Sequence, residues 1–184
     1  LGLADAAISG HLDHAYYLAA VTVGAELLVV FFGAFSFLRM GTTGMVAQAV
    51  GAEDHNLSRN ILSHAIAVAT IIGIALFALG SQAIAPILEL AQAPAEMHRP
   101  LEEYLETRLW GAPANLSLLV LTGWFIGKGH TQIALYLAIT INLLNICLNY
   151  TLAIGYQMNS FGIALGTVIS EYVGLIVAFT ILAL

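Results

Sequence analysis

The chain has 184 residues, with 5 Lys+Arg against 11 Asp+Glu and a formal net charge of −6. Charged residues are 9% of it, against roughly 25% in an ordinary soluble domain, and hydrophobic residues are 60%, with a mean hydropathy of +0.90. A water-soluble globular fold is excluded, because a domain of ~180 residues still leaves about 30% of its unfolded surface exposed and this sequence lacks the polar residues to cover it. The carboxylates gather in two short polar stretches and the cations are scattered, so there is no basic footprint for nucleic acid. Cys147 is the single cysteine, which leaves neither a disulfide framework nor a metal-binding cysteine pair.

The solvent is therefore lipid. A helical span takes about 20 apolar residues, and the chain length predicts an all-α polytopic bundle of about six spans. Residues 1–10 are too short to span and end at the polar His11, Asp13 and His14, as the last turns of a truncated first span would. The chain begins and ends within apolar sequence, and the expectation is a piece of a longer membrane protein. The second span runs from about residue 16 past Phe37 and on to Gly51, where Gly-Ala-Glu53-Asp54-His55-Asn56 makes a loop. The third covers about residues 58–87 and is closed by Pro86. The fourth begins near Pro100 and ends at Gly127-Lys128-Gly129. Pro113 should kink it, with Asn115 or Ser117 satisfying the freed backbone groups. The fifth runs over about residues 131–154, and the sixth starts near Phe161 after a turn through Gly155 and Asn159. Arg59 and Lys128 fall near one face of the membrane and Arg99 and Arg108 near the other, so the positive-inside rule gives no orientation. Gly24, Gly33, Gly41 and Gly44 permit close helix approach.

Function is read from the polar residues that lipid does not tolerate without a partner. Asn142, Asn145 and Asn149 on span five lie within roughly 60° of one another at helical spacing, a ladder of amides on one face. Thr167 and Glu171 on span six are four residues apart and share a face, which predicts a polar pocket between spans five and six. Asp5 is a carboxylate near the cut first span with no Lys or Arg within a turn. Amide carbonyls, a hydroxyl and a carboxylate are hard oxygen ligands suited to a small cation or an exchangeable proton. The competing reading of each amide is interhelical glue, worth about 0.6 kcal/mol on average. Glu26 is a second intramembrane carboxylate or one turn from the interface, and Arg39 pairs or snorkels. His11, Asp13 and His14 read as solvated loop residues rather than a metal cluster. Neither H-E-x-x-H nor G-x-S-x-G occurs, so hydrolytic chemistry has no support and the chain is not read as an enzyme.

The segments Asp5-Ala-Ala-Ile-Ser-Gly-His-Leu12 and Leu38-Arg-Met-Gly-Thr-Thr-Gly44 with Ala47-Gln48-Ala49, and Asn142-x-x-Asn145-x-x-x-Asn149 followed by Gly166-Thr167-Val-Ile-Ser-Glu171-Tyr172, resemble the multidrug and toxic compound extrusion (MATE) transporters. The nearest branch is the DNA-damage-inducible, DinF-like one, and the resemblance runs in order along essentially the whole chain. It implies twelve spans in two six-helix lobes, with residues 1–184 as most of the N-terminal lobe and the C-terminal lobe of the same chain as its partner. It also implies a multi-pass protein of the bacterial inner membrane that exports organic, often cationic or amphipathic small molecules in exchange for H+ or Na+ by alternating access, with no cofactor beyond the coupling ion. The family's N-lobe cation site falls on Asp5, Asn145, Asn149 and Thr167, and Asn142, Gln48, Glu171 and Glu26 are the cavity-lining candidates. Asn149 departs from the pattern, since many relatives carry Asp there, and Glu26 stands where relatives carry small or hydroxylic residues. Two rivals remain: a pore subunit lined by the Asn ladder, and a flippase of lipid-linked precursors, which would need a strongly cationic cavity.

Overall fold

The computed structural model describes residues 15–90 and 94–183. The first span, with Asp5, His11, Asp13 and His14, lies outside the described residues. The helices are α1 (Ala15–Gly33), α2 (Ser36–Gly51), α3 (His55–Leu79), α4 (Ser81–Leu90), α5 (Ala95–Trp110), α6 (Ala112–Gly127), α7 (Thr131–Asn149), continued by a π-helical turn at Tyr150–Gly155, and α8 (Asn159–Ala183). Among the described residues, Tyr16–Gly51, His55–Leu79, Thr131–Gly155 and Asn159–Ala183 are long and apolar enough to cross a bilayer. The bent pair Ala95–Trp110 with Ala112–Gly127 makes a fifth span when counted as one. Backbone polar groups have no partner in hydrocarbon, so helices are the form such spans must take.

The loops follow their local chemistry. Asp54 caps α3, its Oδ1 accepting from the Leu57 N–H at 2.8 Å, and Gly129 ends the α6 connection with φ 82°, a conformation glycine adopts without penalty. Two boundaries differ from expectation. The third span breaks at Gly80, which lies against Leu109 of α5, and Pro86 lies inside α4 instead of closing the span. In span four the helix already starts at Ala95, and Pro100 sits within its second turn.

The bend of that span is 51°. It falls at Gly111, and Pro113 occupies the first turn of α6, where its missing N–H costs little. Neither Asn115 nor Ser117 caps the break with its side chain: the Asn115 amide points to Glu171 and the Ser117 hydroxyl lies 3.4 Å from that of Thr70. Beyond the bend α6 is apolar on every side and buried on every side, from Ala112 through Phe125, as expected of a helix at the centre of a bundle. It packs against α2, α3 and α8. The Thr43 hydroxyl reaches across to the Gly123 carbonyl at 3.1 Å.

Two apolar cores result. One joins α1, α4, α5, the π turn and the start of α8, around Leu101, Tyr104 and Ile163. The other joins α2, α3, α6 and α7 with the far end of α8, around Leu116, Leu121 and Phe125. Of the four glycines expected to admit neighbours, Gly24 abuts Tyr104, whereas Gly33, Gly41 and Gly44 face open space. Gly73 of α3 lies against the backbone of Ala112 and Pro113, so α3 crosses span four at the bend. A side chain there would meet backbone that cannot rotate away. Gly73→Leu is expected to destabilise the protein by about 1–3 kcal/mol through overpacking, read as a lowered melting temperature in detergent, whereas Gly41→Leu on the open face leaves that temperature unchanged.

Candidate functional site

Asn145 and Asn149 are one helical turn apart on α7 and both are fully buried. The face they share meets the small-residue face of α8, where Gly162 and Gly166 let the backbones approach. The Asn145 Nδ2 donates to the Thr167 Oγ1 at 2.8 Å, and that hydroxyl donates in turn to the Ile163 carbonyl at 3.0 Å. This direction of donation leaves the Asn145 Oδ1 buried with no hydrogen-bond partner among the described residues. Asn149 is placed by Gly166, because its Oδ1 occupies the volume that a Cβ at position 166 would need. Directly after Asn149 the helix widens into the π turn, a feature frequent at functional sites for which the sequence carries no signal we can name.

The remaining candidates separate. Asn142 is half-buried on α7, and its amide donates to the Ala138 carbonyl of its own helix at 2.7 Å, so the three-rung ladder is reduced to two rungs facing α8. Gln48 is exposed on α2 and Glu26 is exposed on α1. Asp5 lies outside the described residues. Cys147 sits on the exposed face of α7. Among the described residues no group of three or more His, Cys, Asp or Glu could hold a metal ion.

Glu171 corrects the expectation of a pocket shared with Thr167. Four residues advance a helix about 40° past a full turn, enough to turn Glu171 away from α7 and toward span four. Its Oε1 accepts from the Arg108 Nη2 at 3.1 Å and from the Asn115 Nδ2 at 2.9 Å, and its Oε2 accepts from the Arg108 Nη1 at 3.1 Å. Side-chain exposures of 8% and 2% make this a buried, two-pronged ion pair. Arg108 was legible as a charge near a span end; that it is the partner of Glu171 was not, because 63 residues separate them and the packing of α5 on α8 is not written in local sequence.

A family model described as MatE matches residues 1–151. The chain belongs to the MatE family. It is 37% identical over 177 residues to DNA damage-inducible protein F of Escherichia coli, covering 96% of this chain and 39% of that protein. It is 32% identical to Protein DETOXIFICATION 44, chloroplastic, of Arabidopsis thaliana, covering 98% of this chain and 36% of that protein. The fold is that of the solved structure described as the outward-facing conformation of a multidrug resistance MATE family transporter, with TM-score 0.90 at 24% identity over 98% of this chain and 40% of the other. A structure described as the inward-facing conformation matches with TM-score 0.89, over 96% of this chain and 40% of the other. The chain thus spans about two fifths of the length of the proteins it matches. MatE family members are transporters and not enzymes, and with its apolar spans this is a multi-pass membrane protein.

The packing separates the two roles of the amides. Thr167→Val removes the acceptor of a buried amide and is expected to cost about 1–3 kcal/mol. Asn142→Leu removes a bond to its own helix and is expected to change stability by no more than a few tenths of a kcal/mol. Differential scanning fluorimetry of the two variants in detergent checks the order.

Proposed function

We propose that this chain is the N-terminal six-helix lobe of a secondary antiporter that exports organic, cationic or amphipathic compounds in exchange for H+ or Na+, with Asp5, Asn145, Asn149 and Thr167 as its cation site. The observation that carries the reading is the Asn145–Thr167 bond, which orients a buried amide so that its carbonyl oxygen is left for a hard cation or a proton-bearing oxygen. Asn149, one turn on and admitted by Gly166, adds a second amide to the same face. Its neutrality leaves Asp5 as the titratable member of the set.

Alternating access is supported by the fold, since the chain matches outward-facing and inward-facing transporter structures almost equally well. A lobe common to both states is what rigid-body rocking of two halves requires. The second lobe of the same chain is then the obligatory partner, and the bacterial inner membrane is the location.

The buried pairing of Arg108 with Glu171 counts against a flippase, because a neutralised Arg108 supplies no cationic cavity.

A cationic substrate is supported by a groove of about 870 Å³ between α1, α3, α4 and α5, walled by Val30, Phe31, Leu79 and Leu109. Glu26 is the charged residue among its lining. An apolar trough with one carboxylate favours an amphipathic monocation. Glu26→Gln is expected to raise the half-saturating concentration of such a cation by on the order of tenfold, or ~1.4 kcal/mol, and to leave a neutral amphiphile unaffected in the same efflux assay.

The coupling site is tested with the full-length protein in proteoliposomes under imposed H+ or Na+ gradients. Asp5→Asn should abolish gradient-driven efflux while inserting normally, since removing a charge eases insertion. Asn149→Asp should lower the half-saturating Na+ concentration, because two carboxylates hold a small cation better than one. Saturable efflux lost in the first variant and shifted in the second supports the antiporter, and unsaturable conductance defeats it in favour of a pore.

A further inference from the structure

The triplet Ser170-Glu171-Tyr172 has no place in the cation site, yet each of its side chains is engaged. Ser170 donates to the Gly166 carbonyl at 2.7 Å on its own helix. Glu171 takes two donors from Arg108, in the last turn of α5, and one from Asn115, in the first turn of α6. Tyr172 donates its hydroxyl to the Trp110 carbonyl at 3.0 Å, at the last residue of α5, where helix carbonyls lack partners of their own. Gly111 stands at the bend, and a Cβ there would come within 2.5 Å of the Glu171 Oε2. Two adjacent residues of α8 therefore hold both sides of one break.

We infer that Glu171, with Arg108 and Asn115, is a clamp that sets the bend of the fourth span, and that Glu171 and Arg108 are thereby positioning residues for the Asn145–Thr167 pair one turn along α8. A single carboxylate receives donors from both halves of the broken helix, and their distances of 2.9–3.1 Å are met together at one bend angle. Were α5 and α6 to straighten, the three bonds could not all be kept, and an Asn115 amide drawn away from the Glu171 Oε1 would lose a hydrogen bond inside the lobe, which is costly. The angle of span four and the axial position of α8 are thus one variable. Thr167 and Gly166 ride on that helix against Asn145 and Asn149, so a change of bend becomes a change of registry at the amides.

The inference rests on the coupling role of Asn145 and Thr167, and the experiment separates the two. The full-length protein is used in proteoliposomes with spin labels at Glu102→Cys and His130→Cys, exposed positions on either side of the bend, in a cysteine-free background. Two alterations are compared with this parent. Asn115→Leu removes the α6 arm and leaves the ion pair, and the double variant Arg108→Met with Glu171→Met removes both charges together, avoiding the unpaired buried charge that either single change would leave. In both, the label-to-label distance distribution is expected to shift or broaden. The half-saturating concentration of Na+ or H+ is expected to rise roughly tenfold, the scale of a modest coupling between sites, with the rate at saturating ion retained. A variant that keeps the parent's melting temperature, distance distribution and ion dependence overturns the clamp. Should the double variant fail to fold, Asn115→Leu decides alone. A parent whose efflux ignores both ions overturns the coupling reading only, and the clamp is then upheld or overturned by the distance distribution.

Discussion

Hydrocarbon offers no hydrogen bonds, so every polar group inside the lobe must find its partner in protein. That constraint divides the lobe into two apolar cores with a polar layer between them. Along α7 the order is Ile141 in one core, then Asn145 and Asn149, then Ala153 in the other. Along α8 it is Ile163 and Ala164, then Thr167, Ser170 and Glu171, then Ala178. Span four joins the same two cores, with Leu105 before Arg108 and Leu116 after Asn115, and both polar side chains are turned to Glu171. The break in span four lies in this layer, so the place where the backbone is most in need of partners is also the place richest in them.

Close approach is what makes the layer work. Gly166 admits the Asn149 amide and Gly111 admits the Glu171 carboxylate, and in both cases a hydrogen in place of a methyl group decides whether a polar side chain fits between helices. Interfaces of this kind gain from packing and from short polar contacts instead of from exclusion of water. Ser and Thr in these spans mostly return their hydroxyls to a carbonyl one turn back, as Thr42, Thr107, Thr167 and Ser170 do. Thr167 differs from the others in accepting a second bond from across the interface, and that makes it part of the α7–α8 contact and not only of its own helix.

Much of this was legible in the sequence. Apolar runs longer than a span could only be helices in lipid, the break in span four was announced by Pro113, and the 3.6-residue period put Asn145 and Asn149 on one face. What the sequence did not carry was distance. Asn142 matched the same period but lies far enough round to end at its own backbone. Pro86 looked like a terminus, and the break fell at Gly80, because proline marks where a helix is strained without fixing where tertiary packing lets it part. Arg108 and Glu171 each read as a charge in search of a counter-ion, and their meeting depends on the packing of α5 against α8, which no local rule supplies.

Two carboxylates on apolar helices, Glu26 and Glu171, present the same problem in sequence and opposite solutions in space. Glu171 is 2% exposed and held by three donor groups, so its charge is spent within the lobe. Replacing such a pair by apolar residues is often tolerated, while breaking it is not, which is the behaviour of a fastener and not of a group that must gain and lose a cation in every cycle. Glu26 is exposed, makes no ion pair among the described residues and opens onto an apolar groove. Among the described residues no cationic side chain lines that groove. What separates them is the nearest donor: Arg108 and Asn115 stand beside Glu171, whereas Glu26 lines a groove of apolar side chains.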